Sequence, residues 1–221
     1  MATPARRFDL IAFDWDGTLF DSTALIVRCI QSACRDVGVA VPSDEQASFV
    51  IGLGLNDALA HAAPGLASER YPELGQRSRH HYVARQHELT LFPGTLQMLA
   101  ALKARDHRLA VATGKGRRGL DDALNSVQLK GLFDATRTAD ETASKPHPRM
   151  LLELMAQLGV APERTLMIGD TTHDLQLAAN AGTPSIGVGY GAHDHGSFGA
   201  FEPLFVAQST RDLHHWLIEH A

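Results

Sequence analysis

The first residues whose types and spacing could do chemistry are two carboxylates at the end of an apolar run, where Phe8 to Phe13 leads into Asp14-Trp15-Asp16-Gly17-Thr18-Leu19. Residues i and i+2 of an extended chain point to the same side. Asp14 and Asp16 therefore leave such a strand as neighbouring like charges, which repel and raise one another's pKa unless a cation stands beside them. Alone, the pair reads as a polar turn after a strand. The rest of the polar inventory changes that reading. Thr113-Gly114 follows a second apolar run, Ser144-Lys145-Pro146-His147-Pro148 sets a lysine just before a helix start, and Leu166-Met167-Ile168 runs into Gly169-Asp170-Thr171-Thr172-His173-Asp174. Carboxylates suit a hard cation, a hydroxyl and an ammonium suit phosphate oxygens, and one carboxylate can attack phosphorus. The set suits phosphoryl transfer.

These residues can meet only if the elements before them bring their ends together. Strands are expected over 8–13, 108–113, 135–137, 165–168 and 184–188, with 204–206 as an edge strand, alternating from residue 95 onward with helices over 95–105, 117–127, 148–158, 173–181 and 212–220. That alternation is the signature of βαβ units and a parallel sheet covered on both faces. Between the first strand and Phe92-Pro93-Gly94 the pattern is helical throughout: 22–37 with Ser22 as N-cap, a start at Ser43-Asp44-Glu45-Gln46, 56–63 stopped by Pro64, and 66–86 with a break at Tyr71-Pro72. The expected fold class is α/β, a doubly wound, Rossmann-like parallel sheet over 1–17 plus 93–221, with a helical lobe inserted at 18–92. In open α/β sheets the ligand site lies outside the carboxyl ends of the strands. Asp14, Asp16, Thr113, Lys145 and Asp170 all follow such ends or open the neighbouring helices.

Composition sets the outer bounds. The 221 residues carry a formal net charge of -5, with 44% hydrophobic and 20% charged residues. This is ordinary for a globular domain and offers no basic face for nucleic acid. No apolar run approaches the length of a membrane span, and the amino terminus, Met1 to Arg7, does not read as a signal peptide. Cys29 and Cys34 fall on different faces of one helix and read as reduced thiols, so the expected location is cytoplasmic.

The motifs resemble those of the haloacid dehalogenase-like hydrolase superfamily, in its phosphatase branch close to phosphoglycolate phosphatase. Asp14-Trp15-Asp16-Gly17-Thr18-Leu19, Thr113, Lys145 and Gly169-Asp170-Thr171-Thr172-His173-Asp174 stand in the order and spacing of its four motifs, and residues 18–92 occupy the place of its cap domain. The resemblance implies Asp14 as nucleophile and Asp16 as proton carrier. It implies Mg²⁺ held by Asp14, by the Asp16 carbonyl and by Asp170, with Asp174 acting behind them. Thr113, Gly114 and Lys145 would bind the phosphoryl group of a small phosphorylated metabolite. Four acids against Lys145 leave such a pocket about three charges negative before a phosphate enters, which itself calls for a divalent cation.

Other residues read more blandly. The Trp15 ring is expected to lie away from the phosphate, and Arg117 and Arg118 on the surface; Lys115 is either in reach of an anionic substrate or part of a solvated helix start. Adjacent histidines at 80–81 and 214–215 diverge on helices, and the loop carrying His193 and His195 could border the site without ligating an oxygen-loving cation. Substrate choice should rest with the cap, where Ile51-Gly52-Leu53-Gly54-Leu55-Asn56 resembles a substrate-facing loop and Arg77, Arg79 and Arg85 are candidate cations. The competing functions are a β-phosphoglucomutase-like phosphosugar mutase and a pyrophosphatase or nucleotidase. A dehalogenase would need neither Asp16 nor Mg²⁺. A phospho-accepting signalling receiver is smaller, and its phospho-acceptor follows a later strand.

Overall fold

The computed structural model describes residues 6–221; residues 1–5, where most of the reading of the amino terminus falls, lie outside it. The core is a six-stranded parallel sheet of β1 (Leu10–Phe13), β2 (Arg108–Thr113), β3 (Ala135–Thr138), β4 (Thr165–Gly169), β5 (Ser185–Val188) and β6 (Val206–Ala207), in the order β3-β2-β1-β4-β5-β6. β1 lies between β2 and β4, with Phe13 paired to Val111 on one side and Ile168 on the other. The side-chain period of two divides its apolar run between two layers. Leu10 and Ala12 pack with Met150, Leu154 and Leu177, whereas Ile11 and Phe13 pack with Leu99, Leu102, Leu120 and Leu213. The first layer is covered by α7 (Arg149–Leu158) and α8 (Thr172–Ala181), the second by α5 (Thr95–Ala104), α6 (Arg117–Ser126) and α9 (Thr210–His220). The strands and helices expected from the pattern all appear, within a few residues of their expected ends; β1 starts at Leu10 rather than Phe8.

The insertion is helical, as its pattern requires: α1 (Thr23–Val37), α2 (Asp44–Phe49), α3 (Leu55–Ala62) and α4 (Tyr71–Arg85). α2 opens with a capping box in which the Ser43 hydroxyl accepts from the Gln46 amide and the Gln46 side chain accepts from the Ser43 amide. Pro72 sits in the first turn of α4, where its missing N–H costs nothing. The lobe has its own core, built on Val27, Ile30, Cys34, Val50, Leu59 and Leu74, and both cysteines are free and buried. Its two crossings to the sheet run side by side: the Asp21 amide donates to Thr90 at 2.9 Å, the Phe92 amide to Leu19 at 3.0 Å, and Phe20 bridges Leu91. Among the described residues no helix is long and apolar enough to cross a membrane.

Candidate active site

The polar loops gather at the carboxyl ends of β1, β2 and β4. Asp14 follows β1 directly and is 1% exposed; its Oδ1 accepts from Lys145 Nζ at 2.6 Å. The same ammonium donates to Asp174 Oδ1 at 2.6 Å. Asp174 is fixed in turn from α8, where Thr171 and Asp174 cap the helix reciprocally: its Oδ2 accepts from the Thr171 amide at 3.1 Å and hydroxyl at 2.7 Å. Asp170 accepts from the Thr18 hydroxyl at 2.8 Å and the Ala192 amide at 2.7 Å. Gly17 makes this close approach possible. Its φ of +86° suits glycine, and a Cβ there would stand 2.0 Å from Asp170 Oδ2.

One atom in this cluster is orphaned. Asp14 Oδ2 is buried and has no hydrogen-bond partner among the described residues. Carboxylate oxygens of Asp14, Asp170 and Asp174 lie within 4.8 Å of one another. An all-oxygen donor set with an unpartnered buried carboxylate oxygen fits Mg²⁺ well. Both oxygens of Asp174 are already engaged, which suits it to hold Lys145 in place.

Electrostatics agree with a site built for a cation. Burial pushes the Asp14 carboxyl well above the usual carboxylate range, and Asp174 adds to this while Lys145 opposes it. Burial also raises Asp170, with the charges of Asp14 and Asp174 acting in the same direction. Burial alone would discharge Lys145, but Asp14 and Asp174 hold its pKa above the ordinary lysine value. Like charges this close, with little water, are stable only when balanced.

Asp16 faces a different set of partners. Its Oδ1 accepts from the Ser22 hydroxyl at 2.6 Å, and Lys115 Nζ lies 2.8 Å from both of its oxygens. Lys115 is therefore not a solvated helix start: its side chain is 14% exposed, and it also reaches Tyr82 of α4 at 3.3 Å. Ser22 does precede α1, but its hydroxyl serves Asp16 and makes no capping bond. Thr113, the last residue of β2, is 1% exposed and its Oγ1 accepts from the Lys115 amide. Gly114 lies under the lobe, because a Cβ there would meet the carbonyl oxygens of Gly52 and Leu53 at 2.5 Å.

The lobe is docked by further contacts. His173 and His193 both direct Nε2 at the Phe49 carbonyl, at 2.7 and 3.1 Å, and the His193 ring stacks on that of Phe49. His193 Nδ1 accepts from the Thr172 amide, so its ring is used in docking. Ser144 donates to Asp57 at 3.0 Å. Trp15 lies in the core against Phe20 and Phe133, away from the acids. Arg117 pairs with Glu141 and Asp121. Of the three lobe arginines singled out in the sequence, Arg85 pairs with Glu88, and Arg79 but not Arg77 lines the cleft. The residues missed in sequence are Tyr82 and Phe49, which act across chain separations no local spacing encodes; Thr18 and His173 lay within quoted motifs with no role given to them, and Ser22, expected as an N-cap, serves Asp16 six residues before it.

The family model described as haloacid dehalogenase-like hydrolase matches residues 11–188. The chain is 35% identical over 210 residues to "Probable phosphatase IndB" of Dickeya dadantii, covering 92% of this chain and 91% of that protein. It is 33% identical over 208 residues to a phosphoglycolate phosphatase of Aliivibrio fischeri, covering 90% and 89%. The crystal structure of a predicted phosphoglycolate phosphatase from Haemophilus somnus superimposes with a TM-score of 0.84 at 25% identity, covering 95% of this chain and 97% of that one. With its parallel sheet, inserted helical cap and acid-lysine cluster, the chain belongs to the haloacid dehalogenase-like hydrolases, among their phosphatases.

Proposed function

We propose that the chain is a Mg²⁺-dependent phosphatase that hydrolyses a small organic phosphate monoester through an aspartyl-phosphate on Asp14. The observation that carries this reading is the state of the Asp14 carboxylate, buried and anchored by Lys145 through Oδ1 while Oδ2 is left without a partner among the described residues. Asp14 attacks phosphorus, the bond to the ester oxygen breaks, and the departing alkoxide takes a proton from Asp16. Asp16, now a carboxylate, takes a proton from water; the water oxygen bonds to phosphorus and the bond to Asp14 breaks, freeing inorganic phosphate. The Thr113 hydroxyl, the Gly114 amide and Lys145 hold the phosphoryl oxygens as charge builds. Mg²⁺ would be held by the Asp14 and Asp170 carboxylates and the Asp16 carbonyl, and when bound it neutralises the acid cluster and polarises the phosphoryl group.

In this reading residues 18–92 are the cap and 1–17 plus 93–221 the catalytic core, with hinges at 18–22 and 92–94, and closure excludes water from the first step. The free, buried Cys29 and Cys34 support a reducing, cytoplasmic setting. The test is release of inorganic phosphate from a panel of phosphomonoesters, phosphoglycolate included. Activity should require Mg²⁺, stop with chelator, and fall by at least ~10³-fold in Asp14→Asn. Turnover retained by that variant overturns the reading, and isomerised sugar phosphate without free phosphate would point to a mutase.

A further inference from the structure

The donors at the reaction centre can be counted. A lysine ammonium has three. Lys145 commits two, to Asp14 and Asp174, and keeps one for a phosphoryl oxygen. Lys115 commits all three: 2.8 Å to each oxygen of Asp16 and 3.3 Å to the Tyr82 hydroxyl, with its Nζ 4.7 Å from the centroid of the Tyr82 ring. To take a second anionic group of a substrate, Lys115 would have to turn from Asp16 or Tyr82: the ionised Asp16 occupies two of its donors, and the protonated acid that serves the departing alkoxide still accepts one at its carbonyl oxygen, which leaves at most one donor of the three for a substrate. Turning from the ionised Asp16 strips a partner from a charge that is largely out of water.

Beyond Lys115 lies a cleft of about 1060 Å³ between cap and core. It is continuous with Asp14, Asp16 and Thr113, so it is where the organic part of an ester must go. Ile26, Cys29 and Ile30 of α1, Ile51 and Leu53 of the loop after α2, and Val83 of α4 contribute to its cap wall. Its charged lining comprises five aspartates, Asp14, Asp16, Asp57, Asp122 and Asp140, against three cations, Arg79, Lys115 and Arg118. Arg79 and Arg118 are exposed and form no ion pair among the described residues, so any cation left for a substrate stands in solvent.

Resting on the phosphatase reading above, we infer that the preferred ester carries a bulky, uncharged leaving group, and that a short carboxylate such as glycolate is a poor fit. A glycolate carboxylate would sit close to the ester oxygen, where the one nearby cation outside the phosphoryl site is committed and the remaining charges are mostly acidic. An apolar ring or chain would instead fill the cleft against the cap wall. Lys115 is then a positioning residue that holds the Asp16 carboxylate against Tyr82 of the cap.

The test compares benzyl phosphate with phosphoglycolate in the Mg²⁺-loaded enzyme. Both are phosphate esters of primary alcohols, so the comparison reads mainly the fit of the leaving group. Benzyl phosphate should be favoured in kcat/KM by about tenfold or more. Val83→Trp, at a half-exposed position in the cleft wall, should lower that ratio by narrowing the space. Lys115→Met should lower kcat for both esters alike with little change in either KM. A kcat/KM that favours phosphoglycolate, or a KM rise in Lys115→Met confined to phosphoglycolate, overturns the inference. Hydrolysis of no phosphomonoester at all overturns the phosphatase reading itself, and this inference with it.

Discussion

Burial of the Asp14 carboxyl makes its ionisation costly to the fold. A carboxyl whose pKa is raised by the fold keeps its proton more readily when native, so raising the pH through that interval removes stability. For Asp14 the interval runs from the ordinary 3.8 up to about 7. Other groups titrate in the same region with the opposite sign, since burial lowers His107, His173 and His193 and their contribution recovers as pH rises. Comparison with Asp14→Asn cancels them, because Asn imitates the protonated carboxyl and leaves the histidines in place. In chelator, the variant should melt above the wild type by a margin that widens as pH rises from about 5 to about 7. Thermal melts across that range check it; a margin that shrinks with pH would mean that Lys145, not burial, governs Asp14. Mg²⁺ should close the gap by stabilising the ionised wild type.

Elements place these residues through their ends. The carboxyl ends of three parallel strands deliver Asp14, Thr113 and Asp170, while the start of α8 fixes Asp174 through its capping box. These were legible, because apolar runs with polar ends and a helical period are local properties of the chain. The neighbouring contacts were less so: Ser22 reads as a helix cap and Lys115 as an ambiguous helix start, yet both serve Asp16. Gly114 illustrates a constraint set entirely by another element. A Cβ there would stand 2.5 Å from the carbonyl oxygens of Gly52 and Leu53, in the loop joining α2 to α3. Gly114→Ala should therefore push that loop off the core and lower kcat by about 10²-fold, the cost of a small misplacement at a reacting centre. Its melting temperature should change little, because the lobe and the sheet have separate cores. Steady-state kinetics beside a thermal melt check this, and an unchanged kcat would remove the loop from the catalytic arrangement.

At the scale of the molecule, two independently packed bodies meet along a polar seam. Phe49 is clasped by His173 and His193, Asp57 by Ser144, and Tyr82 by Lys115, and beside that seam runs the cleft. If the seam must open for substrate to enter, fastening it should stop turnover without unfolding either body. Gly54 and Ser144 face each other across it: a Cβ on Gly54 would lie 2.9 Å from the Ser144 Cβ, so widening the seam there by about 1 Å brings the pair to the ~3.8 Å of a disulfide. Oxidised Gly54→Cys/Ser144→Cys should turn over benzyl phosphate at a small fraction of the wild-type rate and recover on reduction. Wild-type enzyme under the same oxidant controls for the native thiols, Cys29 in the cleft wall and the buried Cys34. Full activity in the oxidised form would show that the cap need not move.

The sequence by itself determined the class of sheet, the helical insertion and the set of acids, hydroxyl and lysine suited to phosphoryl chemistry. It could do so because parallel strands carry their following loops to one side, so order along the chain becomes proximity in space. Only the tertiary structure decided which donors remain free. Lys115 meets Tyr82, and Phe49 meets His193, across elements whose mutual register depends on how two separate cores pack. No local spacing carries that register.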